Sequence, residues 1–110
     1  MEASMPDRLS RLAAMLEADP NDAFVLYGLA QEHARQGTAD GHARAVGYYD
    51  RCIAADPAYH YAYYHKAVSQ IALDDNAGAA ATLRAGLAAA RAAREHKAVG
   101  ELSALLDQIT

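Results

Sequence analysis

The chain has 110 residues and a formal net charge of −4, an acidic balance that excludes a non-specific nucleic-acid binder, which needs a basic footprint. Its length fits one domain; alanine dominates the apolar share, and scarce Gly and Pro with few β-branched residues make the composition helical. The single Cys52 excludes an internal disulfide, so a reducing, cytoplasmic setting is expected.

The N-terminal segment carries Glu2, Asp7, Arg8, Arg11 and Glu17, which leaves no apolar signal core. Ser4, Pro6 and Asp7 read as a helix start: Ser4 as cap, Pro6 in the first turn, Asp7 as the acidic end of a capping box. Leu9, Leu12, Ala13 and Leu16 then recur at helical spacing, and Asp19-Pro20 stops that helix because the residue before proline avoids the α region. A second helix is predicted from about Asn21 to Gln36, with Gly37 as C-cap. "GTADG" reads as a loop, followed by a third helix over roughly 42–55 that ends at Asp56-Pro57. A fourth covers roughly 58–73, and Asp74-Asp75 make a turn in which Asp75 or Asn76 caps the Ala-rich fifth helix, 77–93. A sixth, near 96–109, sets Val99, Leu102, Leu105, Leu106 and Ile109 on one stripe. No segment alternates with period two, so no sheet is expected. The longest charge-free stretch after residue 75, Asn76 to Leu83, is too short to span a bilayer.

Internal repetition organises these helices. Asp19-Pro20 and Asp56-Pro57 lie 37 residues apart, and Leu12, Met15 and Leu16 recur at that offset as Tyr49, Cys52 and Ile53. Beyond the loop the offset falls to 34, where Ala45, Tyr49 and Ile53 recur as Ala79, Leu83 and Leu87. A helix–turn–helix unit with a short insertion in "GTADGHA" explains both offsets. One copy reads Leu26, Leu29-Ala30, His33, Ala45, Tyr49, Pro57; the next reads Tyr63, Lys66-Ala67, Gln70, Ala79, Leu83. This pattern resembles the tetratricopeptide repeat, over about residues 8–91. The resemblance implies an all-α fold of about six helices, paired antiparallel and stacked into a right-handed superhelix. It divides a single 1–110 domain into a half-repeat helix (6–18), two repeats (21–57 and 58–91) and a C-terminal capping helix (92–110). Small residues at Ala30, Ala45, Ala67 and Ala79 let paired helices approach closely. Arg91 stands where the family closes a repeat with Pro, so the fifth helix is expected to run on. Lys66 and Gln70 occupy positions that are usually apolar or aromatic, and Lys66 can bury its stem while keeping its head in water.

The segment "DPAYHYAYYHKA", residues 56–67, concentrates tyrosine and histidine. On a helix, Tyr63, Ala67 and Gln70 form one stripe toward the fifth helix, while Tyr61, Tyr64, Val68 and Ile71 form another. The resemblance places the first helix of each repeat on a concave face, so the second stripe lies on the groove side with Phe24, Tyr27, Gln31 and Arg35 of the preceding repeat. The expected partner-binding groove therefore comprises Phe24, Tyr27, Gln31, Arg35, Tyr61, Tyr64, His65 and Val68. It would hold a peptide or helix of a partner protein, since aromatic side chains bury much area at low entropic cost. The other reading of the same rings is packing against the first and last helices. Family members that grip a chaperone's C-terminal carboxylate use Lys and Asn here; this chain has Tyr27, Gly28, Gln31, Tyr64, His65 and Val68 instead.

No catalytic residues, metal ligands or cofactors are expected. His60 and His65 are too far out of helical register to share a metal, and no H-E-x-x-H pair occurs. His33 takes the place of the family's tyrosine and is expected to hydrogen-bond in the core; His42 and His96 sit near helix ends and are expected to be solvated. Cys52 reads as a small buried hydrophobe. No phosphate loop, nucleophile elbow or paired carboxylates appear. The chain thus reads as a non-enzymatic adaptor or scaffold module without membrane or nucleic-acid contact. The alternative is a homo-oligomer, possible as a dimer, that uses the groove or the last helix for self-association. That helix either caps the array or pairs with another protomer.

Overall fold

The computed structural model describes residues 7–110, which form six α-helices and, among the described residues, no strand. α1 spans Arg8–Ala18 and starts at Asp7, whose carboxylate accepts the Ser10 backbone N–H at 2.8 Å. Asp7 is therefore itself the N-cap, not the distal half of a capping box; Ser4 and Pro6 lie outside the described residues. α2, Ala23–Arg35, is capped by Asp22, which accepts from the N–H groups of Phe24 and Val25. Gly37 follows with φ 71°, the left-handed conformation that glycine adopts without a Cβ penalty.

α3 corrects the sequence reading. It spans Ala39–Ala55 and begins inside "GTADG", because the Thr38 hydroxyl accepts from Gly41 N–H at 2.9 Å and caps a helix there. Asp40 in the first turn favours the helix dipole. Gly41 has a packing reason: a Cβ there would collide with the His33 carbonyl oxygen. α4, His60–Ala72, starts later than expected, since Asp56 and Pro57 form a turn in which Asp56 accepts from Ala58 N–H. α5, Asn76–Ala92, is capped by Asp75 and runs past Arg91; α6 is His96–Ile109. Asp74 and Arg94, each one residue past a helix C-cap, adopt positive φ of 61° and 58°.

Consecutive helices pack on each other from α1 through α6. Beyond these neighbours, α2 touches α4 and α4 touches α6, whereas α1 does not reach α3 and α3 does not reach α5. The even-numbered helices are thus the closely set layer and the odd-numbered ones the splayed layer, so the stack bends toward α2, α4 and α6. Principal extents of 52 × 28 × 19 Å describe an elongated ladder, not a ball.

Small residues make the close approach possible. Ala30, Ala45, Ala62, Ala67, Ala79 and Ala90 are fully buried between helices. Tyr49, Leu26 and Cys52 fill one core between α2, α3 and α4; Tyr63, Leu83, Leu87, Leu102 and Leu105 fill a second between α4, α5 and α6. Each such large side chain stabilises by roughly 1.5–3 kcal/mol. Val99, Leu106 and Ile109 pack at the edge of the second core, so α6 folds back on α5 and α4. A smaller cluster, Leu12, Val25 and Leu29, joins α1 to α2.

Two repeat positions that carry polar residues are satisfied by pairing. Lys66 leaves its apolar stem between helices and places Nζ 2.6 Å from Asp50 Oδ1 of α3. Gln70 Oε1 accepts from the Thr82 hydroxyl of α5 at 2.7 Å. Two histidines depart from expectation. His33 makes no hydrogen bond through its buried Nδ1; its ring stacks on Tyr48 at 5.4 Å and 9°. His42 is half-buried and not free at its helix end: its Nδ1 lies 3.0 Å from the Ser69 hydroxyl, tying α3 to α4.

Candidate functional site

The side chains expected to form a groove all lie on α2 and α4, the first two helices of the inner layer. They divide into an exposed set and a half-buried set. Phe24, Tyr61 and Val68 are exposed at 66%, 38% and 39%; among the described residues Met15 is the fourth exposed large hydrophobic side chain. Phe24 and Tyr61 occupy equivalent positions 37 residues apart, so the same ring site repeats on successive helices. The Tyr61 hydroxyl donates to Glu101 Oε1 of α6 at 2.9 Å, which carries the surface onto the third inner helix. Sequence reasoning missed Glu101; its place in α6 matches that of His65 in α4, counting from the N-caps Glu95 and Tyr59.

Tyr27, Gln31, Tyr64 and His65 are half-buried. Tyr27 is the hub of a ring cluster, with centroids 5.9 Å from Tyr49, 5.0 Å from Tyr59 and 5.9 Å from His65. His65 lies 6.5 Å from Tyr49 and 5.2 Å from Tyr64. These rings join α2, α3 and the start of α4, so their inner faces are packing and only their rims meet the surface. Gln31 donates to the Tyr27 hydroxyl at 3.1 Å and holds that ring in place. Tyr59, the N-cap of α4, belongs to the cluster although a sequence stripe cannot include a residue outside the helix. Burial pushes the Tyr27 phenol up to about 12, with the neighbouring Tyr59 adding to it, and burial holds the His65 imidazole below its ordinary value. Both rings are therefore uncharged at neutral pH, which suits an apolar surface.

Arg35 stands at the far end of α2, exposed, with its guanidinium 3.3 Å from Glu32; Glu32 also accepts from Arg8 Nε of α1 at 3.0 Å. The rim of the apolar strip at this end is thus a charged triad.

Among the described residues, no group of three His, Cys, Asp or Glu side chains could hold a metal ion. Cys52 is buried in apolar surroundings that push its thiol up to about 11, the reverse of an activated nucleophile. No described helix is long and apolar enough to cross a membrane.

No family model matches the sequence, and no curated protein matches it. Solved structures do. PcrH, seen in complex with the chaperone binding region of PopD, aligns over 92% of this chain and 74% of its own with a TM-score of 0.83; at 20% identity this likeness concerns the fold. Protein BPP2914 from Bordetella parapertussis aligns over 96% of this chain and 89% of its own, with 25% identity and a TM-score of 0.79. A tetratricopeptide repeat domain protein from Salinibacter ruber is 32% identical over 83% of this chain and 89% of its own, with a TM-score of 0.73. That identity, carried on stacked helix pairs with alanines at the close contacts, means that the chain belongs to the tetratricopeptide repeat family.

Proposed function

We propose that the chain is a non-enzymatic protein-interaction module that holds an apolar, aromatic-bearing peptide or helix of a partner against α2 and α4. One observation carries this reading: Phe24, Tyr61 and Val68 stay exposed on adjacent inner helices, above a floor of uncharged rings. Exposed large apolar side chains gathered on neighbouring helices of one layer support an interaction surface. The groove comprises Phe24, Tyr27, Gln31, Arg35, Tyr61, Tyr64, His65 and Val68; the exposed three make contact, and the half-buried rings supply shape. The complex of PcrH with a segment of PopD supports a peptide ligand on this fold. A cytoplasmic setting and an adaptor role fit the buried free thiol and the acidic, unspanning chain. No nucleic-acid or membrane partner is proposed.

A random-peptide display selection against the folded protein tests this. Selected peptides should be rich in large apolar residues, perturb amide resonances of α2 and α4, and bind at least about tenfold more weakly to the Phe24→Asp, Val68→Asp double variant. Perturbations confined to α3 and α5, or unchanged binding to a folded double variant, would overturn it.

A further inference from the structure

One flank of α3 carries two cations around a recess that the packing of the fold does not use. Arg44, Gly47, Tyr48 and Arg51 follow one another at helical spacing and line a hollow of about 310 Å³. Arg51, Ala54 and Ala55, with Asn21 beyond the first helix, line a second of about 390 Å³, so Arg51 stands between the two. Among the described residues, no carboxylate lines either hollow. Tyr48 packs at the edge of the Leu12, Val25 and Leu29 cluster, which turns this flank toward α1 across the gap left by the splayed outer layer. Gly47 gives the first hollow its depth, because a Cβ there would meet nothing within 4 Å. Glycine inside a helix costs stability, and no close approach at this position requires it.

Both guanidinium groups are held in place yet keep donors to spare. Arg44 gives its Nε–H to Asp40 at 3.0 Å. Arg51 lies 5.6 Å from the centre of the Tyr48 ring, and one of its Nη groups donates to the Pro20 carbonyl at 3.3 Å. The Tyr48 ring is itself fixed by its stack on His33. A guanidinium has five N–H donors, so most remain for another acceptor. Asp40 is taken by Arg44 and Asp50 by Lys66, which leaves Arg51 with no carboxylate partner among the described residues. We propose that this flank of α3 binds an extended acidic segment of a partner protein, with two carboxylates three residues apart engaging Arg44 and Arg51. Seven residues of helix separate the two arginines by about 10 Å along the axis, and side chains three apart on a polyproline-type segment repeat on one face every ~9 Å. The residues between the carboxylates lie over Gly47 and against the Tyr48 ring. The Arg44–Asp40 pair is exposed on both sides and contributes little, so it yields to a carboxylate that takes the guanidinium in two-pronged fashion. This site belongs to the outer layer and does not rest on the apolar strip of α2 and α4.

A capped peptide of two glutamates separated by two prolines is the probe, titrated into the full chain and followed by backbone amide resonances. Shifts should centre on residues 44–51, and a peptide with glutamine in place of both glutamates should bind at least about tenfold more weakly. The Arg44→Gln, Arg51→Gln double variant should lose affinity by a similar factor. So should Gly47→Leu, which fills the hollow where there is room for a side chain and so leaves the fold intact. The Arg84→Gln, Arg91→Gln double variant removes the same charge at the same spacing from exposed positions of α5 and should bind like the unaltered chain. Circular dichroism checks the fold of each variant. The proposal is overturned by shifts that fall on α2 and α4, or by none at millimolar peptide. Equal binding of the glutamine peptide, unchanged binding to folded Gly47→Leu, or an equal loss in the α5 variant also overturns it. So does tighter binding of inorganic phosphate or of a short single-stranded oligothymidylate at the same ionic strength, which would make the flank a general anion or nucleic-acid surface.

Discussion

Tyr63 of α4 lies against Gly86 of α5 so closely that a Cβ added at 86 would come within 2.7 Å of the tyrosine Cβ. Gly86 is buried in the middle of a helix, where glycine is intrinsically costly by about 1 kcal/mol relative to alanine. The contact reverses that preference. Gly86→Ala should destabilise by about 1–3 kcal/mol through overpacking. Gly47, on the open face of α3, meets nothing within 4 Å, and Gly47→Ala should stabilise by about 0.5–1 kcal/mol. Urea unfolding of the two single variants should therefore shift in opposite directions.

Arg94 offers a backbone test. It holds φ 58° at the α5–α6 turn, a conformation that costs a non-glycine residue about 1–2 kcal/mol. Glu95 N–H donates to the Ala90 carbonyl at 2.9 Å, so the turn geometry is fixed by its own hydrogen bonding. Arg94→Gly should raise the melting temperature, with a net gain of about 0.5–1 kcal/mol after the added chain entropy of glycine is counted. A lower melting temperature would show that the Arg94 side chain contributes more than its backbone costs.

Stability should fall on mild acidification. Burial holds His65 and His33 below the ordinary histidine value of 6.5; at His33, Arg44 adds to this and Asp40 opposes it. The unfolded chain then binds more protons than the folded one below 6.5. The stabilisation is complete above that pH and is lost as pH falls through the window beneath it. Urea midpoints should be lower near pH ~5.5 than near pH ~7.5, a range in which ordinary carboxylates do not titrate. His65→Phe keeps a ring between Tyr27, Tyr49 and Tyr64 and should flatten part of the slope. A pH-independent midpoint in the unaltered chain would contradict this account.

Binding and folding should separate along the exposed and half-buried sets. Phe24→Ala and Val68→Ala remove solvent-facing groups and should change stability by no more than about 0.5 kcal/mol. Tyr27→Ala removes the hub of the ring cluster and should cost about 2–3 kcal/mol. Thermal melts of the three variants check this before any ligand is used. Near-equal melting temperatures would place Tyr27 with the surface residues.

The helix pairs were legible in the sequence because their cause is local. Asp-Pro stops at 19–20 and 56–57, the Asp75 cap and alanines at repeat spacing all act within a few residues or one turn of helix. The start of α3 was not, because a turn-like "GTADG" hides a threonine cap whose effect depends on Gly41 fitting against His33. The stripes on α2 and α4 were also legible as stripes. What they could not distinguish was depth: Phe24 and Tyr27 share a helix and nearly a face, yet one is exposed and the other is wedged among rings from α3 and α4. That difference comes from Tyr49, Tyr59 and His65, residues remote in the chain. The hydrogen bond between His42 and Ser69 is equally non-local, and no spacing rule marks it.

The splayed spacing of α1, α3 and α5 has a mechanical meaning. The inner helices meet one another while the outer ones meet only their partners, so straightening or tightening the ladder shifts contacts on the α2–α4–α6 side and leaves each outer seam intact. The α2–α4 and α4–α6 contacts therefore set the curvature of the array, and a segment held on that side, as proposed, would bear on the same contacts.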